Sequence, residues 1–395
     1  MKKSILLLLT LILCGFLPLS GKNTGTQQEI NLKMPPAVFA VENAYQILVT
    51  VKSQSLVRIK VGKKFYSDHI NGVRPSGRSV HRFIVPMAEL EKEGKYEVFT
   101  RKLPKRLPYM NKLTPLPEVS RTFPFRKLPS SGPIRIYHIA DTHTLTDEPL
   151  QTVRAAGKFD LLILNGDIVD TMYKKEALEH PCLLAGKMTG GSIPVIYTRG
   201  NHELRGAYAE QLHHYTPHHQ GRSYYQIHLG PIHALVLDAG EDKADSHPVY
   251  AHAIDCNTFR LEQLEYIRNC AVQNSKVPPA KYRFVISHVP FPRYAGKTPQ
   301  DEKNRRFMIF NQWSQALKET FKPQLLISGH VHRNRIESKK EFPCTILMGT
   351  DRRMNKKGIY TLSGTRITLS GNTAKVEFTL PDGKVKESAT LSLPR

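Results

Sequence analysis

The sequence is poor in cysteine and, beyond its N-terminus, in long hydrophobic runs. After residue 19, no apolar run reaches the roughly 18 residues of a membrane-spanning helix, so no transmembrane segment is predicted after signal removal. The cysteines that then remain are Cys182, Cys256, Cys270 and Cys344. In an oxidising compartment they allow up to two disulfides, and buried free thiols are the alternative. No internal repeat or low-complexity tract is present.

The N-terminus has the pattern of a secretory signal. Lys2–Lys3 supply a positive start and Ile5–Leu19 an apolar core, which predicts a signal peptide over residues 1–21. The protein is therefore expected to be exported to the periplasm or the exterior. Lipoprotein anchoring at Cys14 is the less favoured alternative, because Leu13 stands where a small residue is expected.

Acidic residues are also scarce. Lysine and arginine total 57 against 34 aspartate and glutamate, a formal charge of +23, which favours phosphorylated substrates, polyanions or an anionic envelope surface as partners. Basic runs at Lys303–Arg306, Arg333–Lys340 and Arg352–Lys357 either line the mouth of a site or are simply solvated. No nucleic-acid fold signature accompanies them, so sequence-specific nucleic-acid binding is not expected.

The length of 395 residues exceeds a single core and indicates two domains. Short alternating runs over 22–101 predict a small all-β sandwich of immunoglobulin or fibronectin type, either a spacer or a binding domain. Residues 102–133 form a proline-rich basic linker, with a strand predicted at Arg121–Phe125. The catalytic domain is expected over 134–395.

Strand-like and helix-like segments alternate in this second region, as in a layered α/β domain. The predicted strands are Ile134–Ala140, Leu161–Asn165, Ile193–Tyr197, Phe284–Ile286 and Leu325–Ile327. Helices are predicted at Pro149–Phe159, Glu176–Met188, Phe259–Arg268 and Trp313–Phe321, and a hairpin at Tyr224–Asp238. After Gly349 the chain again has strand-like segments, which are expected to complete a second sheet packed on the first.

A short polar cluster follows each of the five predicted strands. The clusters are Asp141–His143, Gly166–Asp170, Gly200–Glu203, Ser287–Val289 and Gly329–His332. Because ligands gather beyond the carboxyl ends of strands in such sheets, the five clusters can converge. Carboxylates, imidazoles and one amide, without cysteine, favour Mn, Fe or Zn in an open site. If the backbone stays extended, Asp141 with His143, and His330 with His332, point to the same side.

Read in order, DTH, GDIVD, GNHE, the histidine of SHVP and GHVH resemble the motifs of the calcineurin-like metallophosphoesterase superfamily over about Ile134–Gly349. The resemblance implies a four-layer αββα domain with two divalent or mixed-valence ions. By position it implies one ion held by Asp141, His143 and His332, a second held by Asn201, His288 and His330, and Asp167 bridging the two. It also implies that His202 contacts substrate and that Asp170 orients it.

The layout is similar to that of purple acid phosphatases, a branch of the same superfamily, in having a β-domain before the catalytic one. Those enzymes carry a tyrosine ligand three residues after the bridging aspartate, and here Asp170 stands in its place. An iron(III)-tyrosinate centre is therefore not implied.

Two divalent ions roughly 3.5–4 Å apart can clamp the attacking and leaving oxygens of an in-line displacement at phosphorus. The expected function is therefore hydrolysis of phosphomonoesters by a metal-bridging hydroxide, with His202 assisting the leaving group. One alternative is a phosphodiesterase acting on nucleotides, lipid headgroups or polyanionic polymers. A second alternative is a non-catalytic envelope-binding protein, and the oligomeric state is not specified by the sequence.

Overall fold

A computed structural model describes residues 29–112, 116–274, 280–296 and 304–394. The predicted signal peptide, including Cys14, lies outside these residues. Within the described ranges, no helix has both the length and the apolar character needed to span a membrane. Cys182, Cys256 and Cys270 are buried, Cys344 is partly buried, and all four are free thiols, as in the second of the two predicted alternatives.

The N-terminal region is built almost entirely from strands. Its elements are β1 (Ala37–Val41), β2 (Ala44–Thr50), β3 (Ser55–Val61), β4 (Lys64–Ser67), β5 (Val80–Pro86), α1 (Met87–Glu93), β6 (Lys95–Lys102) and β7 (Val119–Pro124), with a 3-10 turn at Met110–Lys112. β3 buries every second residue, which is the alternation that the sequence predicted. The strand predicted inside the proline-rich segment corresponds to β7.

The second region has the predicted alternation of strands and helices. Its elements are β8 (Ile134–Ile139), α2 (Asp147–Ala155), β9 (Leu161–Asn165), α3 (His180–Thr189), β10 (Val195–Thr198), β11 (Tyr225–Leu229), β12 (Ile232–Val236), α4 (Cys256–Asn274), β13 (Tyr282–Ile286), α5 (Arg305–Glu319), β14 (Leu325–Ser328), β15 (Arg335–Glu337) and β16 (Thr345–Met348). The chain ends with β17 (Arg352–Met354), β18 (Tyr360–Leu362), β19 (Gly364–Ser370), β20 (Thr373–Thr379) and β21 (Val385–Ser392). Short 3-10 segments occur at Lys175–Glu179, His202–Leu204, Ala209–His214, Pro248–Tyr250 and Phe291–Arg293.

Two large sheets pack face to face between helices. The first has nine strands in the order β21-β20-β19-β8-β9-β10-β1-β2-β5, and the second has six in the order β11-β12-β13-β14-β16-β15. In β9, Leu161 and Ile163 enter the core between the sheets, whereas Leu162 and Leu164 pack with residues of α2 and α3. Helices α4 and α5 cover the second sheet in the same way. The predicted four-layer αββα arrangement is therefore confirmed.

The N-terminal region is built mainly from strands, as predicted, but these strands do not form a sandwich that is separate from the nine-stranded sheet. β1 pairs in parallel with β10 through Phe39 and Val195, so β1, β2 and β5 extend the nine-stranded sheet. β4, β3, β6 and β7 form a four-stranded sheet whose apolar residues, such as Ile59 and Val98, join the core between the large sheets. The alternation in the sequence predicts the strands but cannot show which chain segment pairs with their edges.

The C-terminal strands belong to a different sheet from the one predicted. They were predicted to complete the second sheet, but β19 pairs antiparallel with β8, placing Ile367 opposite Ile136, and β20 and β21 follow it outward. Ile367, Leu369 and Val376 are buried in the core between the sheets. Either sheet would accept strands with one apolar face, so their sequence alone does not choose the edge.

Candidate metal centre

The polar clusters meet where the carboxyl ends of the strands of the two large sheets lie next to each other. The backbone N–H of His330, after β14 of the second sheet, donates to both carboxylate oxygens of Asp141, after β8 of the first, at 3.1 and 3.0 Å. The His143 N–H donates to the Asp167 carbonyl at 2.9 Å. These bonds fix the turns after β8, β9 and β14 against one another.

The backbone at these turns is not extended. Asp141, His143, Asp167, His330 and His332 have φ angles of 55°, 45°, 49°, 71° and 51°, in the left-handed region that side chains other than glycine rarely adopt. The expectation that strand alternation would align Asp141 with His143, and His330 with His332, is therefore wrong. Strands β8 and β14 end first, at Ile139 and Ser328, and tight turns aim the side chains. Strained backbone of this kind is concentrated at functional sites.

Two motif glycines allow the close approach that these turns require. A Cβ at Gly166 would lie 2.5 Å from Cγ of His288, and one at Gly200 would lie 2.2 Å from the backbone nitrogen of Asp167. Each distance is far below a van der Waals contact. Gly166 also has a φ of 72°, which favours glycine.

Asp141, His143, Asp167 and His332 form a first group of donor atoms that all lie within 4.8 Å of one another. Nε2 of His143 is 3.0 Å from Nε2 of His332, and Nε2 of His332 is 3.3 Å from Oδ1 of Asp141. Oδ2 of Asp167 is 3.9 Å from Nε2 of His143. Except for His332, these side chains are almost fully buried.

Asp167, His288 and His330 form a second group within the same 4.8 Å limit. Nε2 of His288 is 3.1 Å from Oδ2 of Asp167, and Nδ1 of His330 is 3.0 Å from Oδ1 of Asn201. The structure therefore brings all seven predicted ligands together, and Asp167 belongs to both groups.

The surroundings of His288 show that the second group fits a cation. Nδ1 of His288 lies 2.7 Å from the Asn165 carbonyl and donates to it, so Nε2 of the neutral ring carries a lone pair. That Nε2 is buried without a hydrogen-bond partner, although Oδ2 of Asp167 is 3.1 Å away. A lone pair facing a carboxylate requires a positive charge between them, either a proton or a metal ion.

In the absence of metal, the pKa values of His288, Asp167 and His143 agree with this geometry. Burial would lower the pKa of His288, but the Asp167 carboxylate outweighs burial and raises that pKa to about 10. Burial would raise the pKa of Asp167, but the charge of His288 holds it well below its usual range. Burial lowers the pKa of His143 to about 4, so this ring is neutral and ready to bind a metal ion at neutral pH.

His202 lies beside the two groups rather than inside them. Its Nδ1 donates to the backbone carbonyl of Asp170 at 2.7 Å, while the Asp170 carboxylate is 3.7 Å from that atom and 3.3 Å from Nδ1 of His143. Asp170 therefore contacts His202 chiefly through its carbonyl. Asp170, His143 and His202 also form a third group with metal-binding spacing.

Sequence reasoning missed Arg205, three residues after His202. Its Nη1 donates to Nε2 of His202 at 2.8 Å, and its Nη2 donates to Oε2 of Glu241 at 3.1 Å. A cation therefore lies beside the group expected to assist the leaving oxygen. The position of Arg205 just beyond the GNHE motif is the only signal that the sequence offered for it.

An acidic pair after β12 was also missed. Oε1 of the buried Glu241 accepts from Nδ2 of Asn201 at 3.3 Å, and Oδ2 of Asp242 lies 3.1 Å from Nε2 of His330. These contacts turn the amide oxygen of Asn201 and Nδ1 of His330 toward each other. The rule that located the other clusters, polar residues directly after an apolar strand, also applies to Asp238–Asp242.

A model of the calcineurin-like phosphoesterase family matches residues 134–334. This chain belongs to that family. It is therefore a metal-dependent phosphoric ester hydrolase whose cofactors are two divalent metal ions, in agreement with the two donor groups that share Asp167. Among proteins with curated functions, none matches the chain.

Solved structures resemble the chain over most of its length. A purple acid phosphatase from yellow lupin (Lupinus luteus) is 12% identical, with a TM-score of 0.56 over 90% of this chain and 74% of that one. The structure of PhoD is 11% identical, with a TM-score of 0.55 over 92% of this chain and 90% of that one. At such low identity the likeness concerns the fold, including the β-rich N-terminal region.

Proposed function

We propose that this member of the calcineurin-like phosphoesterase family is an exported phosphomonoesterase. The observation that carries the proposal is the position of the Asp167 carboxylate in both donor groups. Asp141, His143 and His332 would hold one ion, and Asn201, His288 and His330 would hold the other. Export is proposed from the signal-like pattern of residues 1–21.

The charge of the site favours a phosphoryl dianion. When bound, two divalent ions acidify water and neutralise phosphoryl charge, and they outweigh the carboxylates of Asp141 and Asp167. Arg205 adds a cation on the His202 side. On the other side, Arg333 and Arg352 line a cavity of about 500 Å³ together with His332. A phosphomonoester carries more negative charge than a phosphodiester, so the excess positive charge of the site favours the monoester.

His202 is proposed to assist departure of the alcohol. Hydrolysis joins the oxygen of water to phosphorus, breaks the ester P–O bond and leaves an alkoxide that needs a proton. The Asp170 carbonyl orients the His202 ring, and Nε2 accepts from Arg205. Phosphate binding to Arg205 would free Nε2 to take up a proton from solvent and donate it to the alkoxide, while the proton lost by the attacking water passes to solvent. Such proton transfer is worth about 100- to 10,000-fold.

Phosphodiester hydrolysis is the second candidate. A cavity of about 600 Å³ adjoins Arg205, with Leu204, Val249 and Tyr250 in its lining. It would accommodate the second substituent of a diester next to the metal centre.

The test compares p-nitrophenyl phosphate with its bis ester in the presence of Mn²⁺. The proposal predicts the higher kcat/KM for the monoester, and a higher value for the bis ester would support the second candidate. Asp167→Asn should abolish both activities, since it removes the shared carboxylate. Unchanged hydrolysis in that variant would refute the metal-centre assignment.

A further inference from the structure

The hairpin of β17 and β18 forms one wall of the site. Arg352, at its first position, lines the cavity of about 500 Å³ that also contains His332. A hydrogen bond fixes the base of the hairpin. Oγ1 of Thr350 accepts it from the backbone N–H of Ala140 at 3.0 Å, and Ala140 directly precedes Asp141. The hairpin is therefore held in place relative to the metal centre.

The tip of this hairpin is a turn that is closed by hydrogen bonds of Asn355. Oδ1 of Asn355 accepts from the N–H groups of Lys357 at 2.8 Å and Ile359 at 3.0 Å. The Asn355 N–H donates to the Ile359 carbonyl at 2.9 Å, and the Gly358 N–H donates to the Asn355 carbonyl at 3.0 Å. The tip thus has a defined shape that presents its side chains outward.

Those side chains combine apolar groups with positive charge. Met354 and Ile359 are 60% and 55% exposed, and Lys356 and Lys357 between them are exposed. The segment 352–360 contains no acidic residue. At the hairpin base, Asp351 is already bound by the Arg353 guanidinium through two contacts of 2.8 Å. The tip therefore has no carboxylate of its own to balance its lysines.

Two further exposed apolar side chains lie on segments that also contribute residues to the site. Tyr173, 73% exposed, follows Asp170 by three residues, and Val249, 64% exposed, lines the cavity beside Arg205. Exposed apolar groups rimmed by polar side chains, as Met354 and Ile359 are by the lysines of the tip, indicate an interaction surface.

We propose that the hairpin tip docks on an anionic lipid bilayer, with Met354 and Ile359 entering the interface and Lys356 and Lys357 contacting lipid phosphates. A bilayer surface accepts both kinds of group at once, whereas a soluble polyanion would use only the lysines. Docking would bring the metal centre to phosphate esters borne on that surface. This last step rests on the proposed phosphoesterase activity, and docking itself does not.

Co-sedimentation with lipid vesicles tests the docking. The wild-type protein should bind vesicles made of equal parts phosphatidylcholine and phosphatidylglycerol far better than vesicles of phosphatidylcholine alone. The double variant Met354→Ser/Ile359→Ser should lose about tenfold or more in partitioning, and Lys356→Gln/Lys357→Gln should lose about fivefold for each charge. Ile84→Ser is the matched control, because Ile84 is 60% exposed on β5 and should bind like wild type.

Three results would overturn the proposal. They are equal binding by wild type and the Met354→Ser/Ile359→Ser variant, an equal loss in Ile84→Ser, and self-association in place of vesicle binding. Asp167→Asn should still bind vesicles, which separates docking from catalysis. For substrate delivery, the rate on vesicle-borne phosphatidic acid relative to p-nitrophenyl phosphate should fall about tenfold in Met354→Ser/Ile359→Ser. An unchanged ratio would refute delivery.

Discussion

Asp242 offers a test of the second metal position that is independent of catalysis. The His330 ring lies between two oxygens, with Nδ1 3.0 Å from Oδ1 of Asn201 and Nε2 3.1 Å from Oδ2 of Asp242. The carboxylate of Asp242 accepts a hydrogen bond from Nε2 of His330, which leaves Nδ1 as the ring atom available to a metal ion. Asp242→Asn keeps the size of the side chain but removes its charge.

Loss of such an outer partner typically weakens metal binding about 10- to 100-fold, or about 1.4–2.7 kcal/mol. Calorimetric titration of the metal-free protein with Mn²⁺ should therefore show one weakened site and one unchanged site. Asp245→Asn is the matched control in the same loop, since Asp245 accepts from the backbone of Asn257 at 2.8 Å and belongs to none of the donor groups. Equal weakening of both sites, no weakening, or the same loss in Asp245→Asn would refute the reasoning.

Further predictions concern the fold, the pH dependence and the chemistry. Glu203→Ala should lower the free energy of unfolding in urea by about 3 kcal/mol or more. The carboxylate of Glu203 accepts hydrogen bonds from the backbone N–H groups of Asp167, Ile168, Val169 and Gly200, and the variant leaves these groups without that partner. A decrease of less than about 1 kcal/mol would contradict this prediction. The affinity for Mn²⁺ should rise by up to about tenfold per pH unit, because the metal ion displaces a proton from His288, whose pKa is about 10 without metal. An affinity that stays constant between about pH 6 and pH 8 would refute this proton displacement. His202→Ala should slow alkyl phosphates about 100-fold or more and p-nitrophenyl phosphate much less, and equal losses would contradict its acid role.

The same His288 pKa predicts a stability profile for the metal-free protein. A histidine whose pKa rises on folding from 6.5 to about 10 stabilises the fold fully below pH 6.5, and that contribution is lost as pH rises through 10. Bound metal should remove this dependence. Thermal unfolding across this pH range, with and without Mn²⁺, measures it, and identical profiles would contradict the prediction.

The convergence of the seven predicted ligands could be expected from the sequence, because each follows the end of a strand and strand ends converge by the geometry of the sheet. The backbone conformation of Asp141 and His143 could not be predicted in the same way. Whether a polar residue after a strand continues the strand or enters a left-handed turn depends on partners such as the Gly166 and Asp167 carbonyls, which accept the backbone N–H groups of Asp141 and His143. Those partners lie more than twenty residues away in the sequence.

Sheet membership was harder to predict for a related reason. β19 and β1 carry apolar residues compatible with any sheet edge, and their actual partners, β8 and β10, are chosen by packing of the whole domain. Arg205, Glu241 and Asp242 were missed because they lie outside the recognised motifs and only contact residues of those motifs, namely His202, Asn201 and His330. Contacts of this outer kind follow from the folded geometry and have no fixed spacing in the sequence.

Anomalous X-ray scattering from crystals grown with Mn²⁺ tests the central claim most directly. We expect two peaks about 3.5–4 Å apart, one beside Asp141, His143 and His332 and the other beside Asn201, His288 and His330, with the Asp167 carboxylate between them. A single peak among His143, Asp170 and His202, or two peaks that do not share Asp167, would contradict it.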